Sequence, residues 1–148
     1  MSKLPRGIRN NNPLNIRKSN TLWVGERPYL EGVPMDGQFC QFEEMEYGWR
    51  AAFKLLRKYI NSYKCDTVRK IISRWAPANE NRTENYIKWV ASKVAEGADG
   101  KISYNEPAIL LIAAAMCEME NGVAYSPFSD QKLFCEMLKG KSLADSGF

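Results

Sequence analysis

The chain has no histidine. That removes the usual proton shuttle of neutral pH, zinc sites built on imidazole, and every Ser-His or Cys-His nucleophile–base arrangement. Cysteine is sparse. The four thiols stand at positions 40, 65, 117 and 135, too dispersed for a metal motif, and are expected to be reduced. No metal or other cofactor is called for. Long apolar runs are missing as well: the longest, Ala108–Cys117, is ten residues, about half of the roughly 20 that cross a bilayer. No membrane segment is expected. Residues 1–20 are polar and basic and hold no apolar stretch resembling a signal peptide. Synthesis in the cytoplasm is therefore expected, with any export by a route the sequence does not show. Repeats, low-complexity segments and linkers are also lacking, so the expectation is one domain over residues 1–148.

What is present suits a soluble globular chain, with 45% hydrophobic and 26% charged residues. At 148 residues it is long enough to bury roughly 68–70% of its unfolded surface without disulfides. The net charge of +4 is unevenly spread. Residues 1–30 hold six basic residues against one acid, residues 31–48 five acids and no base, and residues 49–75 eight basic residues against one acid. Such alternation could offer basic areas to a polyanion, or be the solvated face of helices; the second reading is the simpler. Binding of nucleic acid through Arg50, Lys54, Arg57, Lys58, Arg69, Lys70 and Arg74 is disfavoured, because no recognisable nucleic-acid module accompanies these charges.

The first third is rich in turn residues: Pro5, Gly7, the run Asn10-Asn-Asn-Pro13, and Asn15. Leu14–Arg17, Leu22–Val24 and Gly37–Phe42 are strand candidates, which predicts a small antiparallel β-region over about 6–45. From Tyr47 the period changes. Trp49, Ala52, Phe53, Leu56, Tyr59 and Ile60 recur at helical spacing. Thr67 can cap a second helix, with Val68, Ile71, Ile72 and Trp75 inward and Pro77 as its stop. Thr83 or Asn81 can start a third, which carries Tyr86, Ile87, Val90 and Val94 inward and ends near Gly97. Residues 97–103 read as a loop. A short helix over Asp130–Leu138 and a polar tail over 139–148 close the chain. The expected class is α+β, with the helical part over about 47–138.

One segment carries the chemistry. Glu106–Gly122 reads as a helix with a nearly all-apolar body, Asn105 as N-cap, Pro107 in the first turn and Gly122 at its end. A helix apolar on every side must be buried, so Glu118 and Glu120 in its last turn are held where the core meets the surface. Such a place raises a carboxyl pKa by desolvation, as a general acid near neutral pH requires. A frayed polar end is the alternative. Two positions apart on a helix is roughly 200° around its axis, so only one of the two acids can face a cleft.

Several segments, taken together and in order, resemble a phage and prophage family described as virion structural or lysozyme-like proteins. They are Arg6-Gly-Ile-Arg-Asn-Asn-Asn-Pro-Leu-Asn-Ile-Arg17, Trp23-Val-Gly25, Asp36-Gly-Gln-Phe-Cys-Gln-Phe42, Gly48-Trp-Arg-Ala51, Trp75-Ala-Pro77, Glu80-Asn81, Thr83, Tyr86 and Glu120-Asn-Gly122. Leu14 departs from the pattern, where the family has glycine. The resemblance implies a lysozyme-like fold, circularly permuted, because the glutamate-ended helix comes last here and first in lysozyme-fold enzymes.

The resemblance further implies a peptidoglycan-cleaving glycosidase of the lytic transglycosylase, muramidase or glucosaminidase kind, with Glu120 as general acid. It would act on glycan strands at the cell wall or within a virion, alongside other virion proteins. An inactive structural or wall-binding virion protein is the alternative. Glu120-Asn-Gly resembles the Glu-Ser at the helix end of lytic transglycosylases, and Tyr86 the tyrosine that faces the acid. Asp36 is the candidate second carboxylate, although Asp-Gly is also a common turn pair. Asn11, Asn12 and Asn15 could bind N-acetyl groups or satisfy their own turn. Trp23 and Trp75 could stack on sugar rings or pack, with Tyr29 and Tyr125 as further flat faces. Trp49 and Trp89 are assigned to packing. Glu80 could line a cleft or cap a helix.

Overall fold

The computed structural model describes residues 4–28, 35–76 and 80–147. Among the described residues six helices follow one another: α1 (Arg6–Arg9), α2 (Met45–Asn61), α3 (Val68–Trp75), α4 (Glu80–Ala91), α5 (Ala108–Asn121) and α6 (Gln131–Asp145). The apolar stripe of α2 puts Trp49, Phe53 and Leu56 wholly out of solvent. Each such side chain contributes about 1.5–3 kcal/mol. A capping bond such as that from the Lys70 N–H to the Thr67 hydroxyl, at the start of α3, is worth about 1 kcal/mol. Burial therefore decides the fold, and the caps set where helices begin.

The architecture is all-helical, which corrects the expected α+β class, its antiparallel β-region and with them the permuted lysozyme-like fold. Among the described residues the extended backbone amounts to two isolated antiparallel bridges, Arg17 to Phe39 and Glu26 to Phe42. The reason lies in how residues 10–43 satisfy their backbone. The Cys40 N–H donates to the Ile16 carbonyl, but Arg27, from a different segment, donates to the next residue, Gln41. The pairing partner thus changes before a ladder can form. Side chains take the remaining groups: the Asn12 amide binds the Ile16 N–H, the Ile16 carbonyl and the Cys40 carbonyl. Leu22 and Val24, expected in a strand, are 61% and 42% exposed.

Three helices also differ in extent from the sequence reading; one of them, α4, ends at Ala91 rather than near Gly97. Arg6–Arg9, within the turn-rich stretch, closes a single helical turn. At the other end α6 runs on to Asp145, so most of the expected polar tail is helical. Leu133, Met137, Gly140 and Ala144 form its buried stripe against α2. Its second half carries the small residues Gly140 and Ala144, which is why the stripe is faint in the sequence. The apolar run predicted as a buried helix is α5. Ile109, Ile112, Ala113 and Met116 are at most 1% exposed, and α5 packs between α4 and α1. Pro107, rather than Asn105, stands at its N-cap, and Gly122 ends it with φ of 101°. No described helix is long and apolar enough to cross a membrane.

Candidate active site at the end of α5

Three distant segments meet at the Glu120 carboxyl. From the N-terminal loop, Asn15 Nδ2 donates to Oε1 at 2.9 Å. From α4, the Tyr86 hydroxyl donates to Oε2 at 3.0 Å. The same hydroxyl lies 3.5 Å from the Met116 carbonyl, one turn back along α5. Burial pushes the Glu120 carboxyl above its ordinary value of 4.5. The Asn15 and Tyr86 hydrogen bonds and the charges of Arg82 and Arg17 pull the other way without cancelling it. Tyr86 is itself buried, and desolvation with the neighbouring carboxylate holds its phenol well above the usual tyrosine range. Tyr86 is therefore a neutral hydrogen-bonding group.

The N-terminal loop is built to present Asn15. Asn15 adopts φ of 53°, a left-handed conformation that asparagine tolerates better than most residues. Asn12, fully buried, closes the loop around it by accepting the Ile16 N–H at its side-chain oxygen. Asn121 ties the loop to α5, donating to the Pro13 carbonyl at 2.8 Å and to the Cys117 carbonyl at 3.1 Å. The remaining amide oxygens of Asn15 and Asn121 are buried without a hydrogen-bond partner. Both face Gly7. A Cβ on Gly7 would lie 2.5 Å from the Asn121 oxygen, 2.8 Å from the Asn12 carbonyl and 3.1 Å from the Asn15 oxygen. Only a hydrogen fits there.

The chain is 38% identical over 125 residues to Protein P5 of Pseudoalteromonas phage PM2, a match covering 82% of this chain and 74% of that protein. It belongs to that phage protein family. No protein-family model matches it.

In this member of the family the other expected site residues divide clearly. Asn11 and Asn12 do not hydrogen-bond Glu120. Asn11 also has positive φ, 51°, and its amide donates to the Phe42 and Glu43 carbonyls, while Asn12 spends its amide on backbone. Asp36 acts as a turn residue. One oxygen accepts the Gln38 and Phe39 N–H groups; the other takes Asn10 Nδ2 and an ion pair with Arg6 at 3.0 Å. Burial raises its carboxyl, but these partners outweigh it and leave Asp36 below the usual range. Trp75 meets Tyr59 edge-on at 5.5 Å. Trp23 is half-buried against the core, and neither tryptophan hydrogen-bonds to the Glu120 cluster. The Glu80 side chain and Tyr29 lie outside the described residues.

Glu118 points elsewhere, as the helical angle requires. It is 6% exposed and accepts from Trp89 Nε1 and the Ser126 hydroxyl, each at 3.1 Å. This pins α4 and the loop after Gly122 to the end of α5. Trp49 is wholly buried beside Phe53, whereas Trp89 adds this polar contact to its packing. The sequence reading missed the Glu118 anchor, together with Asn10, Asn121 and Gly7. Asn121, adjacent to Glu120 in a helix with few other polar groups, was the available signal. An open cavity of about 320 Å³ lies elsewhere, lined by Glu44, Glu46, Tyr47, Lys139, Ser142 and Leu143. It includes none of the groups around Glu120.

Proposed function

We propose that this phage protein cleaves the glycan strands of peptidoglycan, with Glu120 as its general acid. The observation that carries the reading is the half-buried carboxyl held at both oxygens by neutral donors from two other segments, with burial favouring its protonated form. In that form Oε1 still accepts from Asn15, and the proton sits on Oε2. The Tyr86 hydroxyl can then turn its own proton to the Met116 carbonyl and accept from Glu120. A glycosidic oxygen arriving at Oε2 would take the proton in its place.

Asp36 is fully engaged in its turn, and no second carboxylate is hydrogen-bonded beside Glu120 among the described residues. This favours a scheme with one protein acid, in which the sugar's own N-acetyl oxygen attacks C1 as the leaving oxygen is protonated. Glu120, now ionised, takes the proton of the sugar's 6-hydroxyl as that oxygen displaces the acetamido group from C1. The products are an anhydro sugar end and a shortened strand, and the acid is restored.

Zymography on peptidoglycan tests the reading. The native chain should clear the gel and Glu120→Gln should be weaker by about 10²–10⁴-fold, with product masses showing anhydro ends. Clearing that survives Glu120→Gln would remove Glu120 from the chemistry. A native chain that binds walls without clearing would leave the alternative of a structural or wall-binding virion protein.

A further inference from the structure

The basic residues of 49–75 separate once the fold is in place. Arg50 is buried, and Arg57, Arg69 and Lys70 each meet a carboxylate. Arg74 instead lies against rings. Its guanidinium carbon is 3.8 Å from the Tyr63 ring centroid and 5.5 Å from that of Tyr59. The two tyrosines are themselves in contact, with centroids 5.8 Å apart. Lys58 brings a second cation to Tyr63, 5.6 Å from its centroid. Lys64 adds a third, with Nζ donating to the Asn61 carbonyl at 3.2 Å. Lys58, Tyr63, Lys64 and Arg74 are all exposed. Among the described residues none of these three cations has an ion-pair partner.

The backbone holds the group in place. The Ser62 and Tyr63 N–H groups donate to the Lys58 carbonyl, and the Cys65 N–H to the Tyr59 carbonyl. Within this turn Lys64 adopts φ of 59°, a left-handed conformation that glycine takes without strain. Stability alone would favour glycine there.

We propose that Lys58, Tyr63, Lys64 and Arg74 form a surface that binds single-stranded nucleic acid, a property that does not depend on the glycan-cleaving reading. The sequence reading set nucleic acid aside because the charges stood alone; the fold interleaves them with rings. A guanidinium lying on a ring loses little freedom when it binds, and its flat face can carry a base while the lysines meet phosphates. Bases offer such faces only when unpaired, which favours a single strand over a duplex. Cations without carboxylates repel one another, and a chain of phosphates relieves that repulsion. An anionic bilayer suits the surface less well. Over α2, α3 and their connection, Tyr63 is the one large apolar side chain exposed among the described residues, so no aliphatic group is poised to insert.

Fluorescence anisotropy of a labelled oligothymidylate of about 20 nucleotides tests the full chain. Arg74→Gln, and Lys58→Gln with Lys64→Gln, should each weaken binding about tenfold. Arg74→Lys keeps the charge without the flat face and should recover only part of the loss. Lys64→Gly should melt higher than the native chain yet bind more weakly, which a purely structural lysine would not do. Lys132→Gln with Lys139→Gln removes two charges from α6 and should leave binding unchanged, as should Glu120→Gln. A duplex of equal length should bind more weakly than the single strand. No binding at about 50 mM salt, equal binding of duplex and single strand, or unaltered affinity in Arg74→Gln would overturn the proposal. So would phosphatidylglycerol vesicles that bind through these residues while the oligonucleotide does not, which would assign the surface to a membrane. Wall clearing is scored separately: oligonucleotide binding without clearing keeps this surface and sinks the enzyme, and clearing without binding does the reverse.

Discussion

A carboxyl that loses water and gains two donors is pulled in opposite directions, and at Glu120 the loss of water prevails. The sign of the consequence follows from linkage. With the folded pKa above the unfolded value near 4.5, the folded state binds the proton more tightly. Stability from the protonated form is complete below the unfolded pKa and is lost as pH rises through the folded one. Glu120→Gln, which mimics the neutral acid, should therefore melt higher than the native chain at pH 7, and the gap should close below about pH 4. Thermal melts across this range check it. The activity proposed for Glu120 should fall on the alkaline side of the same folded pKa. Gly7 makes a second test, because an added Cβ would crowd the oxygens of Asn15 and Asn121. Gly7→Ala should destabilise by about 1–3 kcal/mol in urea unfolding. It should also lower wall clearing, since it displaces the residue that holds Glu120 Oε1.

At the scale of elements, α2 and α6 form the most extensive helix pair, and Gly140 is a point where they pack closely. A Cβ there would stand 2.2 Å from Trp49 Cβ and 2.9 Å from the Glu46 carbonyl. Gly140→Ala should cost about 2 kcal/mol or more, despite alanine being the better helix former by about 1 kcal/mol. Chemical denaturation of the variant decides between packing and propensity. The same contact shows what the sequence made legible. Helices α2 and α3 were readable from the regular spacing of their large apolar residues, and α5 from its unbroken apolar run. The second half of α6 was not, because its buried positions are a glycine and an alanine. The N-terminal region misled for another reason. Short alternating segments suggest strands, yet the asparagine amides that take up the backbone groups of residues 16 and 40 depend on contacts across the fold. At the site, Glu120, Tyr86 and Asn15 were nameable because motif order placed them together. The interlock of Asn121 with Gly7 depends on a close approach that no local pattern encodes.

For the whole molecule, the four thiols give a simple probe of integrity. Cys40, Cys65 and Cys117 are buried and Cys135 is exposed, all of them free. Burial pushes the Cys40 and Cys117 thiols up to about 12, so neither should react at neutral pH. An aromatic disulfide reagent should modify one thiol per native chain quickly, and all four once the chain is unfolded. Rapid modification of three or four thiols in the native chain would mean that the core opens far more readily than its packing indicates. Reductant should leave the melting temperature unchanged.

The pairing of α2 with α6 also governs the order of events during synthesis. Trp49 and Phe53 leave the ribosome long before α6, whose Gly140 packs against Trp49, has been translated. Until then the nascent chain carries an exposed apolar stripe, a state in which chains of this kind recruit chaperones or aggregate. Glu120 likewise waits more than a hundred residues behind Asn15. A ribosome-bound chain ending before α5 therefore has the donor loop but no acid, and any wall-directed chemistry begins only when translation is nearly done.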